Sequence, residues 1–234
     1  MNTGQHISHK FDEEVDEVMS SVLSMGGLVL QQVEAAITAL INCDKALADV
    51  VIDDDVKVNT MDVKIDEMCN RIIVMRQPTA TDLRLIMAII KTTNDLERMG
   101  DEAKRIARQA IDISQRAVNM PERFNSIEQM AARVKDMLNR CLDAFARKDI
   151  EEALSVINYD RKVDKDYENL TRQQITYMME DPRKIHESLD LMWSARALER
   201  IGDRTCNICE YIIYLVKGKD VRHIHIDELE ALVE

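Results

Sequence analysis

The sequence predicts an all-α protein: two tandem antiparallel three-helix bundles related by pseudo-twofold symmetry, the outcome of an internal duplication. Three observations predict it. Apolar residues recur at steps of three and four along almost the whole chain, the spacing of one helix face. Only 6 glycines and 3 prolines occur in 234 residues, too few for the turns of a sandwich or barrel. One six-residue string is used twice, Leu96-Glu-Arg-Met-Gly-Asp101 and Leu198-Glu-Arg-Ile-Gly-Asp203, 102 residues apart.

The elements follow in order. Residues 1–10 are polar and are expected to be disordered. A first stripe runs Phe11, Val15, Val18, Val22, Met25, Val29, Val33, Ile37, Leu40, and a second from Leu47 to Met75. The third starts at Leu83, passes through the first copy of the string and ends near Ile113. The first bundle therefore spans 11–118, with a linker at 119–125. Ser126-Ile-Glu-Gln129 reads as a capping box opening the fourth helix. The fifth helix covers roughly Ile150 to Met179, and the sixth runs from Ile185 to Leu215, closed by Lys217-Gly218. These form a second bundle at 126–218, followed by a tail at 219–234 with some amphipathic character, expected to be a short docking segment or frayed. Pro78, Pro121 and Pro182 all fall between stripes, where a proline avoids the cost of about 3 kcal/mol it carries inside a helix. Helices of about 30 residues reach roughly 45 Å.

Composition narrows the function. Net charge is −12, which opposes a phosphate backbone, so nucleic acid is not an expected partner. The one basic group, Arg98, Lys104, Arg105 and Arg108, lies among acids and reads as a solvated helix face with local ion pairs. No continuous run of about 20 apolar residues occurs and the N-terminal stretch lacks the apolar centre of a secretion signal, so direct membrane insertion is not expected and the expected location is cytoplasmic. The 5 cysteines then read as reduced thiols, with Cys206 and Cys209 as two small buried groups on one helix.

The chemistry lies in the acids. Side chains at i and i+4 share a helix face, about 6 Å apart at Cβ. Glu97 with Asp101, Glu199 with Asp203, and Asp160 with Asp164 are such pairs; Asp55 with Asn59 is a weaker fourth. The segments Asp55-Val-Lys-Val-Asn59 and Asp160-Arg-Lys-Val-Asp164 match at an offset of 105, so each half carries an acidic motif on its second helix and another on its third. Where neighbouring helices pack, each half gathers about four oxygen donors, the donor type that hard cations take. Gly100 and Gly202 each cost about 1 kcal/mol against alanine inside a helix. Their place, one residue before the second acid, is expected to let the neighbouring helix or bound ions come close. Asp62 and Asp66 form one more such pair without a counterpart and are read as solvated acids; Asn207, one turn beyond Asp203, is a possible added donor.

On these residues the chain resembles the PhoU family of bacterial phosphate-transport regulators. The stretches Arg76-Gln-Pro-Thr-Ala-Thr-Asp82, Leu142-Asp-Ala-Phe-Ala-Arg147 and Asn207-Ile-Cys-Glu-Tyr211 carry the likeness together with the duplicated string, and it extends from about Phe11 to His223. The resemblance implies two three-helix bundles, no catalytic activity and a homodimer. It also implies divalent or trivalent metal ions (Mg, Mn, Fe or Zn), with ligands carried over to Glu97, Asp101, Glu199, Asp203, Asp160 and Asp164, to Asp55 and, as a departure from the motif, Asn59. Implied partners are the ATPase subunit of a phosphate ABC transporter and a sensor histidine kinase, with the protein peripheral to these membrane complexes and acting as a negative regulator of the phosphate-starvation response. Two other readings stay open at this point. A di-metal carboxylate oxidase uses Glu-x-x-His pairs, which none of the 5 histidines supplies; a helical scaffold needs no metal.

Overall fold

The computed structural model describes residues 3–116, 121–222 and 224. Six long helices account for nearly all of them: α1 (Thr3–Asn42), α2 (Lys45–Arg76), α3 (Ala80–Gln115), α4 (Pro121–Arg147), α5 (Ile150–Glu180) and α6 (Ile185–Lys217), with a one-turn 3-10 helix at Pro182–Lys184 before α6. No strand occurs among the described residues. The helices α1 to α3 pack on one another, as do α4 to α6, giving the two expected bundles. The bundles are joined along α3 and α6, with α1 also touching α4. The apolar stripes merge there: Met99, Ile106, Leu198 and Ile208 are fully buried within one continuous core.

The duplication is visible in the turns. Asp44 and Asp149 cap α2 and α5 alike, each side chain accepting from the backbone N–H three residues on at 3.0 Å. The residues before them, Cys43 and Lys148, both take left-handed backbone, φ 51° and 55°. Each of these turns is closed by a backbone bond of 2.9 Å, from Asp44 N–H to Ala39 and from Asp149 N–H to Ala144. The halves differ where α2 joins α3. Three residues, Gln77 to Thr79, separate those helices. In the second half a single residue, Asp181, leads into the 3-10 turn, which stands where α3 makes its first turn. That is where the offset of 105 becomes 102. Gly218 ends α6 at φ 71°, as its glycine suggested.

Several boundaries depart from expectation. The first helix begins at Thr3, so residues 3–10 are helical where disorder was expected. Residues 119 and 120 of the expected linker lie outside the described residues, and 121–125 already belong to α4, with Pro121 at the start, where a missing N–H costs nothing. Ser126 is therefore inside the helix and does not cap it; its hydroxyl donates to Gln173 Oε1 on α5 at 3.0 Å. Of the tail, only 219–222 and 224 are described, and Val221 is buried. The docking segment expected there lies mostly outside the described residues. The stretch His9–Asn42 within α1 is, by length and composition alone, apolar enough to cross a bilayer. Its Val18, Val22, Met25, Val29 and Leu40 are buried in the core, as in the central helix of a bundle.

Candidate metal centre

In each half the second helix packs along the third, and the glycine in the duplicated string faces the acidic motif of the second helix. A Cβ on Gly202 would stand 2.9 Å from Asp160 Oδ1 and 3.7 Å from Val163 Cγ1. A Cβ on Gly100 would meet Gln32 Oε1 at 3.2 Å, Val58 Cγ1 at 3.4 Å and Asp55 Oδ1 at 3.6 Å. Gly202 thus makes room for the acid of the neighbouring helix, whereas at Gly100 the tight neighbour is Gln32 of α1 and Asp55 stands at ordinary contact distance.

In the second half, Asp160 is half-buried and faces Gly202. Burial, then the charges of Asp164 and Asp203, push its carboxyl up to about 7, with the charge of Glu199 adding to the rise and a hydrogen bond from Cys206 opposing it. Glu199 is raised by burial and then by Asp203, with Asp164 adding; Asp203 is raised by burial and then by Asp164. The four predicted residues therefore share one patch. Arg196 pairs with Glu199 Oε1, while Glu199 Oε2 is buried without a hydrogen-bond partner.

The first half is built from the same positions with different contents. Asp55 is 1% exposed, and its Oδ2 accepts from Lys104 Nζ at 2.5 Å and from the amide of Asn59 at 3.3 Å. Asp55 Oδ1 faces the space over Gly100 and has no partner. Glu97 is raised by burial, then by Asp101, Asp62 and Asp55, with Arg98 opposing. Asp62 is thus half-buried beside Glu97 and belongs to this patch; it is not a solvated acid. Asn207 turns the other way, donating to Asp95 Oδ1 at 3.5 Å across the α3–α6 seam, and adds nothing to the second patch.

Between the patches runs a cleft of about 570 Å³ where α3 meets α6. Glu97 and Asp101 line one side and Asp203 the other, with Arg98, Arg105, Arg196, Arg200 and Arg204 around them. The seam beneath is closed by buried acids. Glu102 accepts from Arg105 at 3.0 Å and Arg200 at 3.2 Å, and Asp95 accepts from Arg204 at 3.1 Å and the Tyr211 hydroxyl at 3.0 Å.

The donors of the second half suit a hard cation: four carboxylates, two of them half-buried, one oxygen left over, and bare glycine backbone opposite. As they stand, no three His, Cys, Asp or Glu side chains among the described residues are gathered closely enough to hold one ion. Asp164 and Asp203 lie exposed at the edge of the patch, while Asp160 and Glu199 are half-buried. The first half suits a cation less well, because Asp55 already holds an ammonium. Sequence reading missed Lys104, Gln32 and Asp62. Lys104 and Asp62 lie seven residues after Glu97 and Asp55, two helical turns along the same faces, and that spacing was the available signal.

Comparison with known proteins agrees with the duplicated architecture. The PhoU domain family matches twice, over residues 22–110 and 127–212, once per bundle. The phosphate-specific transport system accessory protein PhoU of Serratia marcescens is 51% identical over 233 residues, spanning 100% of this chain and 95% of that protein. Its counterpart in Escherichia coli (strain K12) is 49% identical, with 100% and 96% covered. The crystal structure of PhoU from Pseudomonas aeruginosa superposes with a TM-score of 0.86 at 47% identity, over 89% of this chain and all of that one. With both bundles matched and relatives about half identical from end to end, the chain belongs to the PhoU family.

Proposed function

We propose that the protein regulates phosphate uptake and holds down the phosphate-starvation response when phosphate is plentiful. In this reading it is a non-catalytic adaptor on the cytoplasmic side of the membrane. It bridges the ATPase subunit of a phosphate ABC transporter and a sensor histidine kinase, working as a homodimer. The observation that carries the proposal is likeness over the whole length to proteins named as phosphate-specific transport accessories. Deleting the gene is expected to switch on phosphate-responsive genes in phosphate-rich medium, and unchanged expression there refutes the proposal.

Carboxylates of this chain are proposed to hold divalent or trivalent cations as part of this role, with Asp160, Asp164, Glu199 and Asp203 of the second half as the ligands. Support comes from the donor chemistry, the free Glu199 oxygen and the room over Gly202. A bound cation would supply the positive charge that four neighbouring carboxylates lack. Purified protein is expected to carry Mn, Mg, Fe or Zn that Glu199→Ala and Asp203→Ala lose; equal metal in all three forms overturns this part.

A further inference from the structure

The two halves of the duplicated frame place different groups against the carboxylate that faces the glycine, Asp55 in one and Asp160 in the other. Lys104 and Cys206 are equivalent, each seven residues after the glutamate of its string. In the first half the Lys104 ammonium lies 2.5 Å from Asp55 Oδ2, with the lysine side chain 23% exposed and that of Asp55 2%. The same oxygen accepts the Asn59 amide, so it is filled by two donors, one of them charged. In the second half Cys206 offers Asp160 only a neutral thiol, and the place of Asn59 is taken by another carboxylate, Asp164.

Other charges do not erase this contrast. Arg196 pairs with Glu199, but its side chain is 46% exposed and sits at the rim. Arg200 and Arg204 are turned into the seam on Glu102 and Asp95. Against the carboxylate that faces the glycine, the first half has its cation covalently attached and the second half has none. We infer that Lys104 is the resident cation of the first half and that this chain takes up divalent metal at the second half alone. The inference rests on the metal-binding reading above and adds which half is used.

Mn(II) binding to the full chain, followed by equilibrium dialysis and by the loss of the free-ion electron paramagnetic resonance signal, tests it. Glu199→Gln and Cys206→Lys are each expected to weaken Mn(II) binding at least about tenfold, while Glu97→Gln leaves it within about twofold. Lys104→Gln is expected to add a second class of sites. Equal weakening by Glu97→Gln and Glu199→Gln overturns the inference, as does a Lys104→Gln protein that folds and gains no site. Should Lys104→Gln fail to fold, the comparison of Glu97→Gln with Glu199→Gln in the otherwise wild-type chain decides. Absence of Mn(II) binding by the wild type, by contrast, removes the metal reading itself and this inference with it.

Discussion

Replacing Gly202 by alanine tests the idea that the glycine exists for the acid opposite it. Two effects compete. Alanine is better than glycine inside a helix by about 1 kcal/mol. Against that, the new Cβ stands 2.9 Å from Asp160 Oδ1, so the carboxylate must move by some tenths of an ångström; overpacking of this kind costs typically about 1–3 kcal/mol. The atom in the way ends a side chain, which keeps the cost toward the low end, so the net change is expected to lie between zero and about 2 kcal/mol of destabilisation. Gly27→Ala is the internal standard, because a Cβ there meets nothing within 4 Å. It is expected to stabilise by about 1 kcal/mol, raising Tm by roughly 2–4 °C. Thermal denaturation of the three proteins in chelator separates the cases. If Gly202→Ala raises Tm as much as Gly27→Ala does, the close approach of α5 to α6 is wrong and so is the steric reason given for Gly202. Mn(II) binding adds a second reading: a displaced Asp160 is expected to weaken it in Gly202→Ala and not in Gly27→Ala.

Stability in chelator should fall as pH rises from about 4 to about 7 and level off above. Folded Asp160 keeps its proton to about 7, whereas the unfolded chain releases it near 3.8, so the folded state binds more protons between those values; the contribution is on the order of 4 kcal/mol. Asp160→Asn should remove most of that slope, as read by urea midpoints at pH 5 and 8. Asp95→Ala strips Arg204, Tyr211 and Asn207 of a shared acceptor and should cost about 3 kcal/mol, the lower end of the range for a broken buried pair because Arg204 keeps some water. Asp149→Ala removes the acceptor for Glu152 N–H and should cost about 1 kcal/mol, measurable as a shift in urea midpoint at unchanged slope.

Much of this was legible because helix periodicity and duplication reinforce each other. The strings around Gly100 and Gly202 located two close helix contacts before any coordinates, since a glycine cost repeated at equivalent places calls for a steric reason. The carboxylate positions followed from i, i+4 spacing alone. Lys104 was read with Arg98, Arg105 and Arg108 as one solvated face; only the packing of α3 on α2 shows that it points at Asp55 while Arg105 turns to Glu102. Asn207 was misplaced for a related reason. Residues one turn apart share a face only within the width of a side chain, and at the seam between bundles Asn207 falls to the Asp95 side. Ser126 carried the letters of a capping box, yet helix α4 had already begun at Pro121, five residues earlier, because nothing in the local sequence forbids an earlier start.

The contrast between the seam and the second patch argues that the patch is kept for a ligand. Buried acids elsewhere in the α3–α6 region have counter-charges: Asp95 has Arg204, Glu102 has Arg105 and Arg200, and Asp190 has Arg116. The same fold therefore supplies arginines where an acid must be neutralised for stability. Around Asp160 it places Asp164, Asp203 and Glu199, gives Asp160 itself no cationic partner and Glu199 only the half-exposed Arg196, leaves Glu199 Oε2 unsatisfied, and carries a glycine that faces Asp160. Each of these lowers the stability of the bare protein, and each is relieved by one event, the arrival of a cation. A scaffold indifferent to metal would gain stability from Asp160→Asn and lose nothing. The metal-binding reading instead requires that this variant, though more stable in chelator above pH 7, lose the stabilisation that added Mn(II) gives the wild type.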